Sequence, residues 1–171
     1  MLQAFLAAGL LAELAKLSIP WNDATRATIE KAATDISRQT GVSIDPDVLH
    51  AIAWQESGVR QFDAAGKVIR GAAGEYGMMQ VMPANAAGED LSQLVGNVRA
   101  AAKLWAANVR SIGPGIADGL AAYNGGVVRV QRQRQSGHYG NDNYVFEASA
   151  RYWAIKGASL APSTIARRIV T

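Results

Sequence analysis

The chain has 171 residues, of which 49% are hydrophobic and 18% are charged. This length predicts one domain with a substantial core, and the composition excludes general disorder. There are no cysteines, which excludes thiol catalysis, disulfides and cysteine-ligated zinc. The net charge of +3 is compatible with an anionic partner such as a cell-wall polymer, a nucleic acid or a membrane surface, and it does not choose among them.

Metal chemistry is not expected either. The two histidines, His50 and His138, are too few for a histidine-only metal site, although carboxylates could supplement them. We therefore predict no metal and no cofactor.

The first 41 residues predict two helices. Large apolar side chains recur at helical spacing through residues 2–17, which predicts an amphipathic helix that packs on the domain or on a partner. A signal anchor is the alternative, but Glu13 and Lys16 interrupt the apolar run and no basic start or small-residue cleavage site accompanies it. No stretch reaches the roughly 18 apolar residues of a membrane span, so no transmembrane segment is expected. A second helix is predicted from Asn22 or Asp23 up to a stop at Gly41.

The third predicted helix carries the most informative carboxylate. Asp45 and Pro46 form a strong helix start, apolar residues fill 48–53, and Gly58 ends the helix. Glu56 therefore lies in the last turn, where burial and the helix dipole both favour the protonated carboxyl. A raised pKa is what a general acid needs at neutral pH. The other interpretation is a surface glutamate that completes a helix end.

The rest of the chain predicts loops and helices in alternation. Glycines and charged side chains break up residues 59–76, and 77–82 is predicted to be a short strand in a small β-hairpin. Apolar spacing and glycine or proline ends predict four more helices, over 91–112, 116–124, 127–135 and 143–156. We predict a mainly α chain with three parts: N-terminal helices over 1–41, a domain over 42–156 and a tail over 157–171.

Two further strings carry polar groups suited to a sugar. Gly77-Met78-Met79-Gln80 offers a glycine that lets the backbone approach a ligand, and an amide that both donates and accepts. Ala122-Tyr123-Asn124 offers a phenol and a second amide, although an asparagine before glycine is also a plain helix end. A row of arginines that follows can bind an acidic polymer or form a solvated face: Arg129, Arg132 and Arg134.

In this order, the strings resemble the catalytic domain of lytic transglycosylases of the soluble (SLT) type, in the lysozyme-like superfamily. That family carries Glu-Ser at a helix end, then Gly-Leu-Met-Gln-x-Met-Pro, then Ala-Tyr-Asn and a later tyrosine. The matching strings here are Glu56-Ser57-Gly58, the run Gly-Met-Met-Gln-Val-Met-Pro at 77–83, Ala122-Tyr123-Asn124 and Tyr144. The resemblance covers about residues 42–156. It implies an α+β lysozyme-like fold, a helical domain with a small β-hairpin beside the active-site groove.

The resemblance also implies a reaction. The bond cleaved would be the β-1,4 bond between N-acetylmuramic acid and N-acetylglucosamine in peptidoglycan, with formation of 1,6-anhydromuramyl ends. Glu56 would be the sole catalytic acid and base, and Tyr123 would hydrogen-bond and position it. The implied substrate-binding residues are Gln80, Met82, Tyr123, Asn124 and Tyr144. The implied supporting residues are Ser57, Gly77 and Met79.

Two departures from the family affect the substrate contacts more than the catalytic glutamate. From Glu56 to Gln80 is 24 positions, which is more than the family usually has, and this predicts a longer loop over 60–74 near the groove. Asn85 replaces a threonine often found shortly after the Met-Pro pair.

Two other functions stay open. A goose-type lysozyme relative would hydrolyse the same bond with water and would need a second acid, for which Asp63 and Glu75 are the candidates. A structural or glycan-binding module of a larger assembly would keep the fold without activity, and the presence of Glu56 argues against it.

The expected partner is the peptidoglycan glycan strand, with no nucleic acid, and the expected place of action is the bacterial cell wall in the periplasm. Because no convincing signal peptide is present, we expect delivery as a component of a phage virion, a phage tail or a secretion system. The helix predicted over 2–17 would then dock on that assembly.

Overall fold

Six α-helices dominate the computed structural model, which describes residues 18–20, 22–133 and 138–159. They are α1 (Asp23–Thr40), α2 (Pro46–Ser57), α3 (Leu94–Ile112), α4 (Ile116–Gly125), α5 (Val127–Gln133) and α6 (Asp142–Ser159), with a 3-10 helix at Pro83–Asn85. The mainly α prediction is confirmed. The helix predicted over 2–17 lies outside the described residues. None of the described helices combines the length and apolar character that crossing a membrane requires.

The helix ends follow the chemistry read from the sequence. The Asn22 side chain accepts a hydrogen bond from Thr25 N at the start of α1, and Gly41 ends that helix with φ 70°. The Asp45 side chain accepts from a backbone N–H in the first turn of α2, and Gly58 ends α2 with φ 64°. Both helices are therefore defined by local capping, and Glu56 lies in the last turn of α2 as predicted.

Most of the helices share one large core, and Val130 of α5 belongs to a second, smaller one. The α2 side chains Val48, Leu49 and Ile52 are completely buried at the centre of the large core. Helix α1 packs mainly on α3, whereas α6 packs on α2 and α4. Helix α1 thus packs on the domain, one of the two arrangements left open for the N-terminal helices, and α6 runs to Ser159, past the predicted start of the tail at 157. The division into parts at 41 and 156 stays a prediction.

Helices α2 and α6 lie side by side with opposite directions. The carboxylates of Asp45 and Asp47 at the start of α2 bind Lys156 near the end of α6, at 2.7 and 2.8 Å. At the other end of the pair, Tyr144 in the first turn of α6 contacts Glu56 in the last turn of α2. The α2–α6 pair therefore brings the end of one helix to the start of the other, where the site lies.

The predicted strand over 77–82 is wrong for its first four residues, which form a turn. Met78 and Met79 are both fully buried, whereas neighbouring residues of a strand point to opposite faces. The β structure of the described residues consists of isolated antiparallel bridges, which join residues 62 and 68, 70 and 76, and 76 and 81. The small β element beside the groove is thus a bridged loop.

Candidate active site

Glu56 lies at the wall of a pocket and is hydrogen-bonded to one tyrosine. The Tyr144 hydroxyl donates to Glu56 Oε1 at 2.7 Å. Burial raises the pKa of Glu56 to about 7; the Tyr144 hydrogen bond works in the opposite direction, and the negative charge of Glu75 adds to the rise. A carboxyl with this pKa exists in both forms at neutral pH, so it can donate a proton and later accept one.

Tyr123 does not make the hydrogen bond that the resemblance assigned to it. Its hydroxyl donates to the Met79 carbonyl at 2.7 Å, and Tyr144 makes the bond to Glu56 instead. Tyr123 still lines the pocket, and burial followed by the nearby charge of Glu56 raises the pKa of its phenol well above the ordinary value. Tyr123 therefore holds the turn at 77–80, and Tyr144 holds the carboxyl of Glu56.

The turn at 77–80 is held by two buried amides that the sequence analysis missed. Asn97 on α3 accepts from Met79 N and donates to Tyr76 O, both at 2.7 Å. Gln61 accepts from Met78 N at 2.8 Å through its Oε1. Both side chains are almost inaccessible to water. The backbone that carries Gln80 is thus fixed from two sides, because each amide satisfies polar groups that water cannot reach.

Gly77 is required at the start of this turn for two reasons. Its φ is +69°, in the left-handed region that disfavours other residues. A Cβ at this position would also lie 2.5 Å from Gln61 Oε1 and 2.8 Å from Asn97 Nδ2. The glycine therefore allows both amides to approach the turn.

Ser57 joins the end of α2 to the same turn. Its Oγ lies 2.9 Å from Met78 O and 3.2 Å from Ala53 O, and it accepts from Arg60 N at 3.0 Å. These contacts use the hydroxyl to fix the helix end. The supporting role expected of Ser57 stays a prediction.

The pocket brings most of the predicted site residues together. Its lining residues are Glu56, Gly71, Ala72, Glu75, Gln80, Met82, Tyr123 and Asn124. All but one of the predicted substrate-binding residues are among them; Tyr144 instead reaches the site through its hydrogen bond to Glu56. Asn85 is exposed in the 3-10 helix and does not line the pocket.

The long loop after α2 forms one side of the pocket. Its position agrees with the prediction that it lies near the groove. Gly71 allows this arrangement, since a Cβ there would overlap Glu75 Oε2 and lie 2.6 Å from Gln80 Oε1. Of the two candidate second acids, Glu75 lines the pocket. Asp63 instead accepts from Ala65 N and Lys67 N in its own turn, at 2.9 Å each. The described residues contain no group of three or more histidine, aspartate or glutamate side chains able to hold a metal ion.

Comparison with known proteins gives a family and a structural likeness. The sequence model described as the Transglycosylase SLT domain matches residues 35–146, which include the whole pocket and Tyr144. Among solved structures, the chain is similar to the crystal structure of the 70 kDa soluble lytic transglycosylase SLT70 from Escherichia coli, with 22% identity and a TM-score of 0.47. That likeness covers 71% of this chain and 22% of the other, so this chain spans a small part of that protein's length. No curated protein matches the chain.

Proposed function

The chain belongs to the transglycosylase SLT domain family, and we propose that it is a peptidoglycan lytic transglycosylase with Glu56 as its single acid and base. It cleaves the β-1,4 bond between N-acetylmuramic acid and N-acetylglucosamine and leaves a 1,6-anhydromuramyl end. The observation that carries the proposal is the state of Glu56, a partly buried carboxyl with a pKa of about 7, held by Tyr144 at the wall of a polar pocket.

The first chemical step uses the protonated form of Glu56. Its proton passes to the glycosidic oxygen as the bond from that oxygen to C1 of the muramyl residue breaks. The acetamido carbonyl oxygen of the same sugar supports C1, in the substrate-assisted manner that replaces a second carboxylate. Glu56 is then ionised, and the hydroxyl of Tyr144, which donates to Oε1 at 2.7 Å, stabilises this charge.

The second step returns the proton to Glu56. The carboxylate accepts the proton of the C6 hydroxyl, and the C6 oxygen bonds to C1 as the acetamido oxygen leaves. Protons balance over the two steps, no water is consumed, and Glu56 ends in its starting form. A pKa of about 7 suits both directions of transfer.

The remaining pocket residues supply contacts for the glycan. Gln80 and Asn124 offer amides to hydroxyl and acetamido groups, and Met82, which is 37% exposed, offers an apolar surface to a sugar face. Tyr123 contributes its ring to the lining and keeps its hydroxyl on the Met79 carbonyl. Supporting roles fall on Ser57, Gly77 and Met79.

Hydrolysis of the same bond is a second candidate, and the position of Glu75 favours it. This carboxylate lines the same pocket as Glu56, so it could hold a water molecule for attack on C1. The two reactions differ in product: hydrolysis leaves a reducing end, whereas transglycosylation leaves an anhydro end that is one water lighter. Glu75→Gln should abolish hydrolysis and should leave transglycosylation in place.

The test is mass spectrometry of the fragments released from purified peptidoglycan. We expect anhydro ends from the wild type, and loss of activity by roughly a factor of 10²–10⁴ in Glu56→Gln. Glu30→Gln is the matched control, because Glu30 lies on α1 and is paired with Arg26. Reducing ends alone would refute transglycosylation. Binding without release by the wild type would instead support the inactive glycan-binding module.

The place of action follows from the substrate, and we propose local degradation of the cell wall by a protein delivered with a virion, a phage tail or a secretion system. The support is the amphipathic pattern over 2–17, which suits docking on a larger assembly. Expression of this chain alone in bacteria tests the idea. Export with processing at the N-terminus would contradict it.

A further inference from the structure

Arg129 lies against the end of α4 at the Asn124 side of the pocket. Gly125 follows Asn124 directly, and its φ is not in the left-handed region, so backbone conformation does not require glycine there. A Cβ at 125 would lie 2.9 Å from Arg129 Cδ and 3.4 Å from Arg129 Nη1. The absence of that Cβ is therefore what allows the arginine side chain to lie across the residue next to the pocket.

Asn141 lies on the other side of the same glycine. Its Nδ2 donates to Asn124 Oδ1 at 2.9 Å and to Ala121 O at 3.1 Å, and it would be 3.1 Å from a Cβ at 125. The Oδ1 of Asn124 is thus engaged, which leaves the Nδ2 donor of Asn124 for a ligand in the pocket. The amide of Asn124 lines the pocket, and the Arg129 side chain lies beside the next residue, Gly125.

The charge of Arg129 is not neutralised by the fold. Within residues 22–133 and 138–159, no carboxylate forms an ion pair with it, and its side chain is exposed. Several basic side chains elsewhere on the helices have carboxylate partners: Arg26 pairs with Glu30, Lys31 with Asp35, and Arg99 with Glu89. The pocket residue Glu75 carries the opposite charge, as does Glu56 in its ionised form. The pocket therefore has acidic groups in its lining and, beside its Asn124 side, a cation that has no carboxylate partner among the described residues.

We propose that Arg129, together with the side-chain amide of Asn124, forms a subsite for a carboxylate carried by the lactyl arm of N-acetylmuramic acid. This inference rests on the proposed function and narrows its substrate. The glycan ring itself has no charged group, so the carboxylates of peptidoglycan lie on the lactyl arm, as its own carboxyl where the peptide is absent, or on the stem peptide attached there. A guanidinium suits either one, because its planar fork pairs with both carboxylate oxygens.

The subsite explains the glycine after Asn124 as well as the arginine. Gly125 is at the end of α4, where an alanine would favour the helix more. The glycine lowers the stability of the helix end. Ligand binding by Arg129, which the glycine allows, offsets this loss. The proposal assigns a ligand to Arg129 and none to Arg132, which lies one turn further along α5. The two residues therefore differ in role, although the sequence places both in one row of arginines.

The test measures binding rather than turnover, in the Glu56→Gln background. Three soluble oligomers of equal length serve as probes: an N-acetylglucosamine oligomer without carboxylates, a glycan strand with free lactyl carboxyls, and the same strand with stem peptides. Isothermal titration calorimetry should show about three- to tenfold tighter binding of one or both carboxylate-bearing oligomers than of the neutral one, the size expected for an exposed, bidentate charge pair.

Adding Arg129→Gln should make the three affinities equal, whereas Arg132→Gln should leave the preference intact. Gly125→Ala is a second variant, since it displaces the arginine without removing its charge and should also lose the preference. A preference that survives Arg129→Gln would overturn the subsite. So would an equal loss in Arg132→Gln, which would indicate general attraction to a basic surface.

The two carboxylate-bearing probes identify the source of the anion. A preference for the free lactyl carboxyl places the ligand next to the ring, and a preference confined to the peptide-bearing strand places it on the stem. A lack of preference for both strands would refute the subsite. Cleavage by the wild type is measured separately, so failure of the proposed function would appear as absent cleavage while the binding preference still decides the role of Arg129.

Discussion

The Tyr144 hydroxyl donates a 2.7 Å hydrogen bond to Glu56 Oε1 across a sequence separation of 88 residues. The bond joins the first turn of α6 to the last turn of α2. It favours the ionised carboxylate, whereas burial favours the neutral form and is the stronger influence, so the pKa of Glu56 is raised to about 7. The acidity of the proposed catalytic group therefore depends on a balance of two effects that can be changed one at a time.

Tyr144→Phe should raise the pKa of Glu56 further, because it removes the hydrogen bond that stabilises the carboxylate. The basic limb of the pH profile of kcat/KM should move to higher pH, and activity at neutral pH should fall by about tenfold, the cost of one hydrogen bond to a charged group. Tyr139→Phe is a matched control, since Tyr139 bonds to Asp118 instead. A shift towards lower pH would contradict the role assigned to Tyr144.

Glu56→Gln should make the protein more stable than the wild type at high pH. The pKa of Glu56 is 4.5 as an ordinary side chain and about 7 in the fold. The folded state thus holds the proton more tightly: the neutral carboxyl's contribution to stability is complete below pH 4.5 and is lost as the pH rises through 7. Glutamine does not titrate, so the variant avoids this loss.

The size of the effect follows from the free energy of one pKa unit, and is on the order of 3 kcal/mol between pH 4 and pH 8. Denaturant unfolding of both proteins at the two pH values measures it. The same stability difference at pH 4 and pH 8 would show that the Glu56 carboxyl is not buried as described.

Asn97→Ala should destabilise the fold by about 2–4 kcal/mol, because it leaves the buried Met79 N–H and Tyr76 carbonyl without partners. Activity should fall with it, since the turn that carries Gln80 loses its anchor. Asn108→Ala on the same helix is the control: Asn108 is also buried, but its Nδ2 has no hydrogen-bond partner among the described residues. Equal losses in the two variants, measured by urea unfolding, would exclude a special role for Asn97.

Lys156→Met should weaken the contact between α2 and α6 by about 1 kcal/mol at neutral pH. Lys156 binds Asp45 and Asp47, and these hydrogen-bonded carboxylates outweigh burial and raise the pKa of Lys156 from 10.5 to about 12. Its stabilisation is therefore complete below pH 10.5 and is lost as the pH rises through 12. Unfolding experiments should show the wild type and the variant converging over that interval; a constant difference would contradict the ion pairs.

The sequence was sufficient for the helices and for most of the pocket. Asn22 and Asp45 define helix starts, and Gly41 and Gly58 define ends, because capping uses groups within a few residues of one another. Glu56 and the predicted pocket residues were identified from the order of the family's short sequence motifs. Local chemistry and motif order are thus readable without the fold.

The contacts between distant elements were not readable in this way. Tyr123 and Tyr144 are both phenols in matching positions, and only the docking of α6 decides which one reaches the carboxyl. Asn97 interrupts an apolar helix face, which signals a buried hydrogen bond without indicating that its partner is the turn at 77–80. Gln61 lies in the loop after α2, where no hydrophobic periodicity indicates which residues it contacts. Their roles depend on which surfaces meet, and a linear pattern does not contain that information.

The distance in sequence between Glu56 and Tyr144 also sets the order in which the two partners of this hydrogen bond are synthesised. The ribosome adds Glu56 well before Tyr144, and a chain that stops before α6 lacks the hydroxyl that donates to Glu56 Oε1. The described contacts of the proton donor are therefore complete only when the last described helix docks. A nascent or truncated chain lacks this hydrogen bond, even though every residue of the pocket lining is already present.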